Sequence, residues 1–399
     1  MNGDLVWQTS FWVSLGVIVY VYFGYPLLLK LDLLGCRVDF IRRDVLPSIS
    51  VIVPAHNEES TIAQKLESLI DSDYPRELVE ILVGSDGSSD STEKVVERFH
   101  DEGVGLISFP KQQGKSAMQN GLVSFASGDI LVFTDADTLL ERSALRRLAE
   151  NFADSRVGLV TARALYSNAS EASIVANESL YLRYDTWLRR RESERGILAM
   201  ASGALFALRR GLWQPLDPTL GDDFELPLRM VRAGMRNVID ERVTALTRLG
   251  QDRPGSMVGL KVRIISKDLR ALLIHRELLN PVRHGALAVG LWSHKVLRWF
   301  VPPFLLAVLA SSLLLAGHPF FRAALWFELA FCALALVGTL PFVDRLPLCS
   351  VPASFCLVNL AAVLGIVKCV TGRTSGKWHT VRAPSAHPSS ALPHFRDFE

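Results

Sequence analysis

The chain has 399 residues, room for a soluble domain of ordinary size plus membrane segments, and 49% of them are hydrophobic. Its mean hydropathy of +0.23 is high for a purely soluble protein. The formal net charge is only +2, and no run interleaves basic with aromatic residues, so nucleic acid is not an expected partner.

The first apolar run, residues 11–29, has about the length that crosses a bilayer. No Lys or Arg precedes Lys30, and the run is longer than a signal-peptide core, which predicts an uncleaved anchor. Lys30, Arg37, Arg42 and Arg43 follow it. By the positive-inside rule they place the next domain in the cytoplasm, at a plasma (inner) membrane.

From Pro47 the pattern changes. Residues 49–53 read as a buried strand, and 58–70 as a helix with Ile62, Leu66, Leu69 and Ile70 on one face. Strands are predicted at 80–84, 104–108, 130–134 and 158–164. Between them fall a helix capped by Asp90 and carrying Val95, Val96 and Phe99, and helices at 115–126 and 142–152. Alternation of this kind predicts an α/β fold with a mainly parallel central sheet and flanking helices.

In such sheets ligands bind beyond the carboxyl ends of the strands. The polar motifs fall there: His56-Asn57-Glu58-Glu59, Ser85-Asp86-Gly87-Ser88 and Asp135-Ala136-Asp137. Any single cluster reads as a helix cap or polar turn; their joint occurrence at one rim does not. Asp135 and Asp137 follow a β-prone run, and in an extended chain residues i and i+2 point the same way. Two hard oxygen ligands so placed suit Mg²⁺ or Mn²⁺ bridging to a diphosphate. Two decoys fall away. Gly114-Lys115-Ser116 ends like a phosphate-binding P-loop, but Phe109 stands where that loop needs its first Gly. No GxGxxG follows the first strand, which disfavours a dinucleotide-binding oxidoreductase.

Beyond the domain, residues 279–300 hold Trp292, His294, Lys295, Arg298 and Trp299, the composition of a helix at the headgroup level that would keep the rim of the sheet near the membrane. Residues 301–317, 323–343 and 346–370 are three further candidate spans, and Arg283, Lys295 and Arg298 before them agree with a cytoplasmic domain. Three spans put the tail outside, whereas Arg373, Lys377 and Arg382 favour the inside. A re-entrant segment would reconcile the two, with 346–370, which contains Pro352 and Asn359, the first suspect. The expected organisation is an anchor and basic linker at 1–46, a cytoplasmic catalytic domain at 47–270, an interfacial segment at 271–300, about three spans at 301–370 and a polar tail at 371–399. Cys36, Cys332, Cys349, Cys356 and Cys369 lie in or near apolar runs without a CxxC pair, which predicts packed membrane cysteines and no zinc site. Asn168-Ala169-Ser170 and Asn177-Glu178-Ser179 match the glycosylation pattern, which a cytoplasmic domain makes irrelevant.

Val51-Ile52-Val53-Pro54-Ala55-His56-Asn57-Glu58-Glu59, Gly84-Ser85-Asp86-Gly87-Ser88-Ser89-Asp90, Gly114-Lys115 and Asp135-Ala136-Asp137, in that order, resemble the family 2 glycosyltransferases, of GT-A fold, in their membrane-bound branch. Gly221-Asp222-Asp223-Phe224-Glu225-Leu226 resembles the family's acceptor-side motif, and the likeness covers residues 49–264. The resemblance implies that Pro54, Asn57, Glu58 and Asp86 hold the nucleotide base and ribose, Asp86 accepting a hydrogen bond from a uracil imide. It implies that Lys115 adds positive charge near the nucleotide, that Asp135 and Asp137 face the diphosphate, with Asp137 the more direct metal ligand, and that Asp223 is the general base. A divalent metal, a nucleotide-sugar donor (UDP-linked), a glycan or lipid-linked acceptor, contact with membrane lipid, partners in polysaccharide assembly and inversion at the anomeric carbon follow from the same likeness.

Plainer readings stand beside these. Lys115 reads equally as a solvated first-turn residue, His56 as a packing residue, Asp222 as the cap of a helix over 224–233, and Glu225 as a support behind Asp223. Asp71 and Asp73 read as a helix-exit turn, and Gly203 as an acceptor-side wall or a tight backbone contact. The processive members carry Gln-x-x-Arg-Trp after the base motif; Gln251-Asp252-Arg253-Pro254-Gly255 does not fit, which puts polymerisation in doubt. Lys261, Arg263 and Lys267 face either the diphosphate or the membrane interface. Two competing readings are a catalytically silent scaffold or nucleotide-sugar sensor, and a nucleotidyltransferase, which lacks here the basic glycine-rich loop it needs after the first strand.

Overall fold

The computed structural model describes residues 2–35, 37–166, 173–247, 254–340, 343 and 346–372. Cys36, the motif at 168–170, Gln251 to Arg253 and the basic residues of the tail lie outside them, as do the side chains of Asn177 and Ser179.

The centre is an eight-stranded sheet made of β1 (Ile49–Ala55), β2 (Val79–Asp86), β3 (Val104–Phe109), β4 (Ile130–Thr134), β5 (Leu139–Leu140), β6 (Val157–Tyr166), β7 (Leu205–Arg209) and β8 (Arg236–Thr247), in the order β3-β2-β1-β4-β7-β6-β8-β5. β3, β2, β1 and β4 run parallel, as expected from the strand–helix alternation. β7 then turns the direction against both β4 and β6, while β8 runs parallel to β6. The first half is therefore parallel, and the second, whose β7 and β8 the sequence reading did not delimit, is mixed.

All seven residues of β1 are buried, the mark of a strand covered on both faces. Alternation decides which face each side chain joins. Val51, Val53, Ile81, Val83 and Val132 pack against Ile62, Leu66 and Leu69 of the helix Ile62–Ile70. Ile52, Leu82, Leu131 and Phe133 pack on the other face with Leu122, Phe206 and Leu226. Phe133 stacks between Phe206 and Trp213 at 5.1 and 5.2 Å.

The expected helix at 58–70 begins later, at Ile62. Asn57 takes φ +56, and the chain turns through Glu58 to Thr61 before it can become helical.

A third cluster joins the domain to the apolar helices. Tyr25 and Leu29 of the first span, Leu188, Phe224, Leu228, Ile265, Leu272, Leu291, Trp299 and Ala362 share one core. Among the described residues, three helices are long and apolar enough to cross a membrane: Gly3–Lys30, Pro319–Val337 and Pro347–Val370. Pro347–Val370 is a single 24-residue helix, although Pro352 lies inside it. The break falls instead between Pro281–Trp299 and Val301–Leu314, which meet at 58°. Phe300 leaves helical geometry there (φ −97, ψ 13), immediately before Val301-Pro302-Pro303, whose ring nitrogens donate nothing to the preceding turn. Val301–Leu314 has 14 residues, about 21 Å of rise, short of the roughly 30 Å core of a bilayer.

The segment expected to lie at the headgroup level turns most of its aromatic and basic residues inward. His294 and Trp299 are buried, and the Lys295 and Arg298 side chains keep only 17% and 9% of their surface. Trp292 alone of this group stays exposed. The cause is a set of buried carboxylates on neighbouring helices, which draws the cations in.

Candidate active site

The loops after β1 and β2 are stitched into one wall. His56 Nδ1 lies 2.7 Å from the Asp86 carbonyl oxygen, and Asn57 Oδ1 accepts from the Ser89 amide at 2.8 Å. The Glu58 amide donates to Thr92 Oγ1 at 2.7 Å, while its buried carboxylate accepts from Thr61 Oγ1 at 2.6 Å. Pro54, buried beside Gly84, closes the inner end.

Asp86 has no exposed surface. Its two oxygens accept from the amides of Gln113 and Gly114, at 2.7 and 2.8 Å. It therefore holds the 111–114 loop in place, and Gly114 at φ +99 lets that loop feed the helix Lys115–Val123. Recognition of a base by Asp86 needs the lone pairs these amides leave over.

That loop delivers Lys115. Its Nζ is 2.8 Å from Asp135 Oδ1, 3.2 Å from Asp222 Oδ2 and 3.4 Å from the Gly203 carbonyl. Burial works against the charge, but Asp135 and Asp222 outweigh it and hold the ammonium well above its ordinary range. The residue is thus no solvated first-turn lysine.

Asp135 and Asp137 do not continue the strand. β4 ends at Thr134, and the Thr138 amide donates to the Asp135 carbonyl at 3.2 Å, so the pair sits in a turn. The extended-chain argument fails at this point, and the turn sets how the carboxylates are presented. Beneath them lies Lys65, completely buried, whose Nζ donates to Thr134 Oγ1 and to the Thr138 carbonyl, both at 2.7 Å. Burial holds this amine well below its usual range, against the pull of Asp135 and Asp137. The sequence reading missed it, although position 65 shares the apolar face of Ile62, Leu66 and Leu69, and that is the signal of a lysine pointing inward.

Asp222 and Asp223 open the helix Asp222–Arg232. Asp222, buried, accepts from Gln119 Nε2 at 2.7 Å besides pairing with Lys115. Burial would raise its proton affinity, but Lys115 and Gln119 carry it below the usual carboxylate range. Asp223 moves the other way. Burial, then Asp222 and Asp268, push it up to about 6. Gly203 borders it: a Cβ there would stand 3.6 Å from Asp223 Oδ2. Glu225 instead pairs with Arg229 at 2.7 Å and with His275 at 3.1 Å.

Arg263 and Lys267, one turn apart on the helix Pro254–Ile274, complete the rim. Both feel Asp223; Arg263 also feels Asp135, and Lys267 feels Asp222. Neither side chain has a hydrogen-bond or ion-pair partner among the described residues, and burial lowers the proton affinity of both.

No three or more His, Cys, Asp or Glu side chains among the described residues form a metal cage. Asp135 and Asp137 offer hard oxygen donors, the set that holds Mg²⁺ or Mn²⁺ when phosphate oxygens supply the rest. The residues fit an ion shared with a ligand and not one caged by protein alone.

A parallel half, a mixed half and an acidic turn after the fourth strand define a GT-A fold. Residues 50–214, less than half of the chain, match the family model described as Glycosyl transferase family 2, so the chain carries a domain similar to that family. Asp223 lies beyond the matched residues. The probable glycosyltransferase YdaM of Bacillus subtilis is 30% identical over 201 residues, 47% of this chain and 48% of that protein. A beta-monoglucosyldiacylglycerol synthase of Trichormus variabilis is 27% identical, over 46% of this chain and 41% of that protein. An N-acetylglucosaminyltransferase of Rhizobium sp. is 25% identical, over 60% and 57%. The chain spans about half the length of these curated relatives. The mannosyltransferase PcManGT of Pyrobaculum calidifontis, solved with GDP-Man and Mn²⁺, superposes with a TM-score of 0.68 at 22% identity, covering 91% of this chain and 99% of that one.

Proposed function

We propose that the chain is a membrane-bound, inverting glycosyltransferase that moves a sugar from a nucleotide-sugar donor, UDP-linked, to a glycan or lipid-linked acceptor, with its catalytic domain in the cytoplasm at an inner membrane. One observation carries the reading: Lys115 ties Asp135, on the nucleotide half, to Asp222, on the helix that bears Asp223. Donor-side and acceptor-side carboxylates thereby meet at one rim of the sheet.

In this reading Pro54, Asn57, Glu58 and Asp86 form the nucleotide wall, and Lys115, Arg263 and Lys267 face the diphosphate. Asp137 and Asp135 hold a divalent ion, Mg²⁺ or Mn²⁺, which supplies charge stabilisation to the departing nucleoside diphosphate. Asp223 takes the proton of the acceptor hydroxyl as that oxygen attacks the anomeric carbon opposite the leaving group. Its raised proton affinity, near 6, suits a base that must accept a proton and release it again close to neutrality. The relatives' names support a lipid-borne acceptor, since one is a diacylglycerol glucoside synthase.

A panel of UDP- and GDP-sugars, each followed for nucleoside diphosphate release with a lipid extract as acceptor, tests the proposal. Wild type is expected to turn over one donor. Asp137→Ala should abolish that turnover, and Asp223→Asn should lower it by roughly 10²–10⁴-fold. Absence of turnover across the panel would overturn it in favour of a silent scaffold, and an active Asp223→Asn would overturn the assignment of Asp223 as base.

A further inference from the structure

The turn Trp292–Val296, at the membrane side of the site, is π-helical, a geometry frequent at functional positions. His294 locks it. Its Nδ1 lies 2.7 Å from Glu192 Oε1 and its Nε2 2.9 Å from Asp185 Oδ1. The Tyr25 hydroxyl donates to the same Glu192 oxygen at 2.6 Å. All four residues are buried. The turn is thereby pinned to the helix Ser173–Glu194 and to the first span.

The next residue, Lys295, crosses the face of Phe224, 4.7 Å from the ring centre, and meets Asp268 Oδ2 at 3.0 Å. Asp268 is buried beside Asp223. A Cβ built on Gly221 would stand 3.7 Å from Asp268 Oδ1 and 3.0 Å from Asp223 Oδ1. Two carboxylates therefore flank one glycine, and an ammonium from a different helix caps the far one.

We infer that Asp268 and Lys295 are positioning residues that set the charge state of Asp223, so that the broken membrane-side helix completes the catalytic rim. Asp223 also faces Asp222 on its own helix, Lys115 on the helix Lys115–Val123, and Arg263 and Lys267 on the helix Pro254–Ile274. Changes at Asp268 or Lys295 leave those residues themselves unaltered. Asp268 opposes the carboxylate form of Asp223 and Lys295 favours it. Removing one or the other must move Asp223 in opposite directions. The catalytic meaning of this rests on the reading of Asp223 as base; the electrostatics do not.

The test is an infrared titration of the full-length protein in nanodiscs between pH 4 and 8, without ligand. The protonated-carboxyl band that Asp223→Asn removes reports Asp223. In Asp268→Asn its midpoint is expected to fall, and in Lys295→Met to rise, each by roughly 0.5–1 pH unit. The double variant should lie between the two. Lys295→Arg keeps the charge and should leave the midpoint in place, which guards against misfolding as the cause. Midpoints that stay put, that move in the same direction, or a band that never titrates in this range would overturn the inference. A shifting midpoint with an active Asp223→Asn sinks the base assignment alone. Fixed midpoints with an inactive Asp223→Asn sink this inference alone.

Discussion

At the scale of single residues, neighbouring carboxylates divide by environment. Asp222 is stabilised as an anion by Lys115 and Gln119, while Asp223, one residue on, is pushed up to about 6 by burial and by Asp222 and Asp268. A carboxyl group whose folded value exceeds its unfolded one binds its proton more tightly when folded. It costs nothing below its unfolded value and penalises the fold increasingly as pH rises through about 6. Asp223→Asn is therefore expected to raise the thermal midpoint at pH 8, by an amount worth about 1–3 kcal/mol. At pH 4 it should change little, and thermal scans at the two pH values check the difference. On the proposed role of Asp223 as base, donor turnover is expected to fall along an acid limb near pH 6, which a pH–rate profile checks. Lys65 shows the limit of local reading. Its place on an apolar face was visible in the sequence, but its two partners, Thr134 and Thr138, lie far along the chain.

At the scale of elements, the helix Pro254–Ile274 links the rim to the apolar helices. One side carries Arg263, Lys267 and Asp268 toward the rim; the other packs on the helix Pro347–Val370. Gly365 sits at that contact, where a Cβ would come within 2.9 Å of Ile265. Neither backbone can give way without moving the cations. Gly365→Leu should therefore cost about 1–3 kcal/mol by overpacking and depress donor turnover, although it touches no site residue. Denaturation and turnover, measured together, check it; an unchanged stability would show that the two helices part freely. The break at Phe300 was equally written in the chain, in Pro302 and Pro303. The expectation of a plain span at 301–317 overlooked it because hydropathy carries no information on backbone donors.

At the scale of the whole molecule, the positive charges after the first span predict that the sheet faces the cytoplasm. Glu97→Cys, at an exposed helix end, in a background with the native cysteines replaced, should react with a membrane-impermeant maleimide in inverted vesicles and not in intact spheroplasts. Labelling of intact cells would reverse the orientation.

The strand–helix alternation, the acidic clusters and the apolar runs are local properties, set by side-chain period and composition, and from them the sequence alone determined the α/β class, the rim and the candidates Asp86, Asp135 and Asp137, while Asp223 became a candidate through the family resemblance. What only the tertiary structure decided was pairing. That Lys115 spans Asp135 and Asp222, that Asp86 holds a loop, and that Lys295 turns inward to Asp268 are facts about charges brought together from distant segments. Charge interactions depend on distance and on exclusion of water, and a linear chain specifies neither until it has folded.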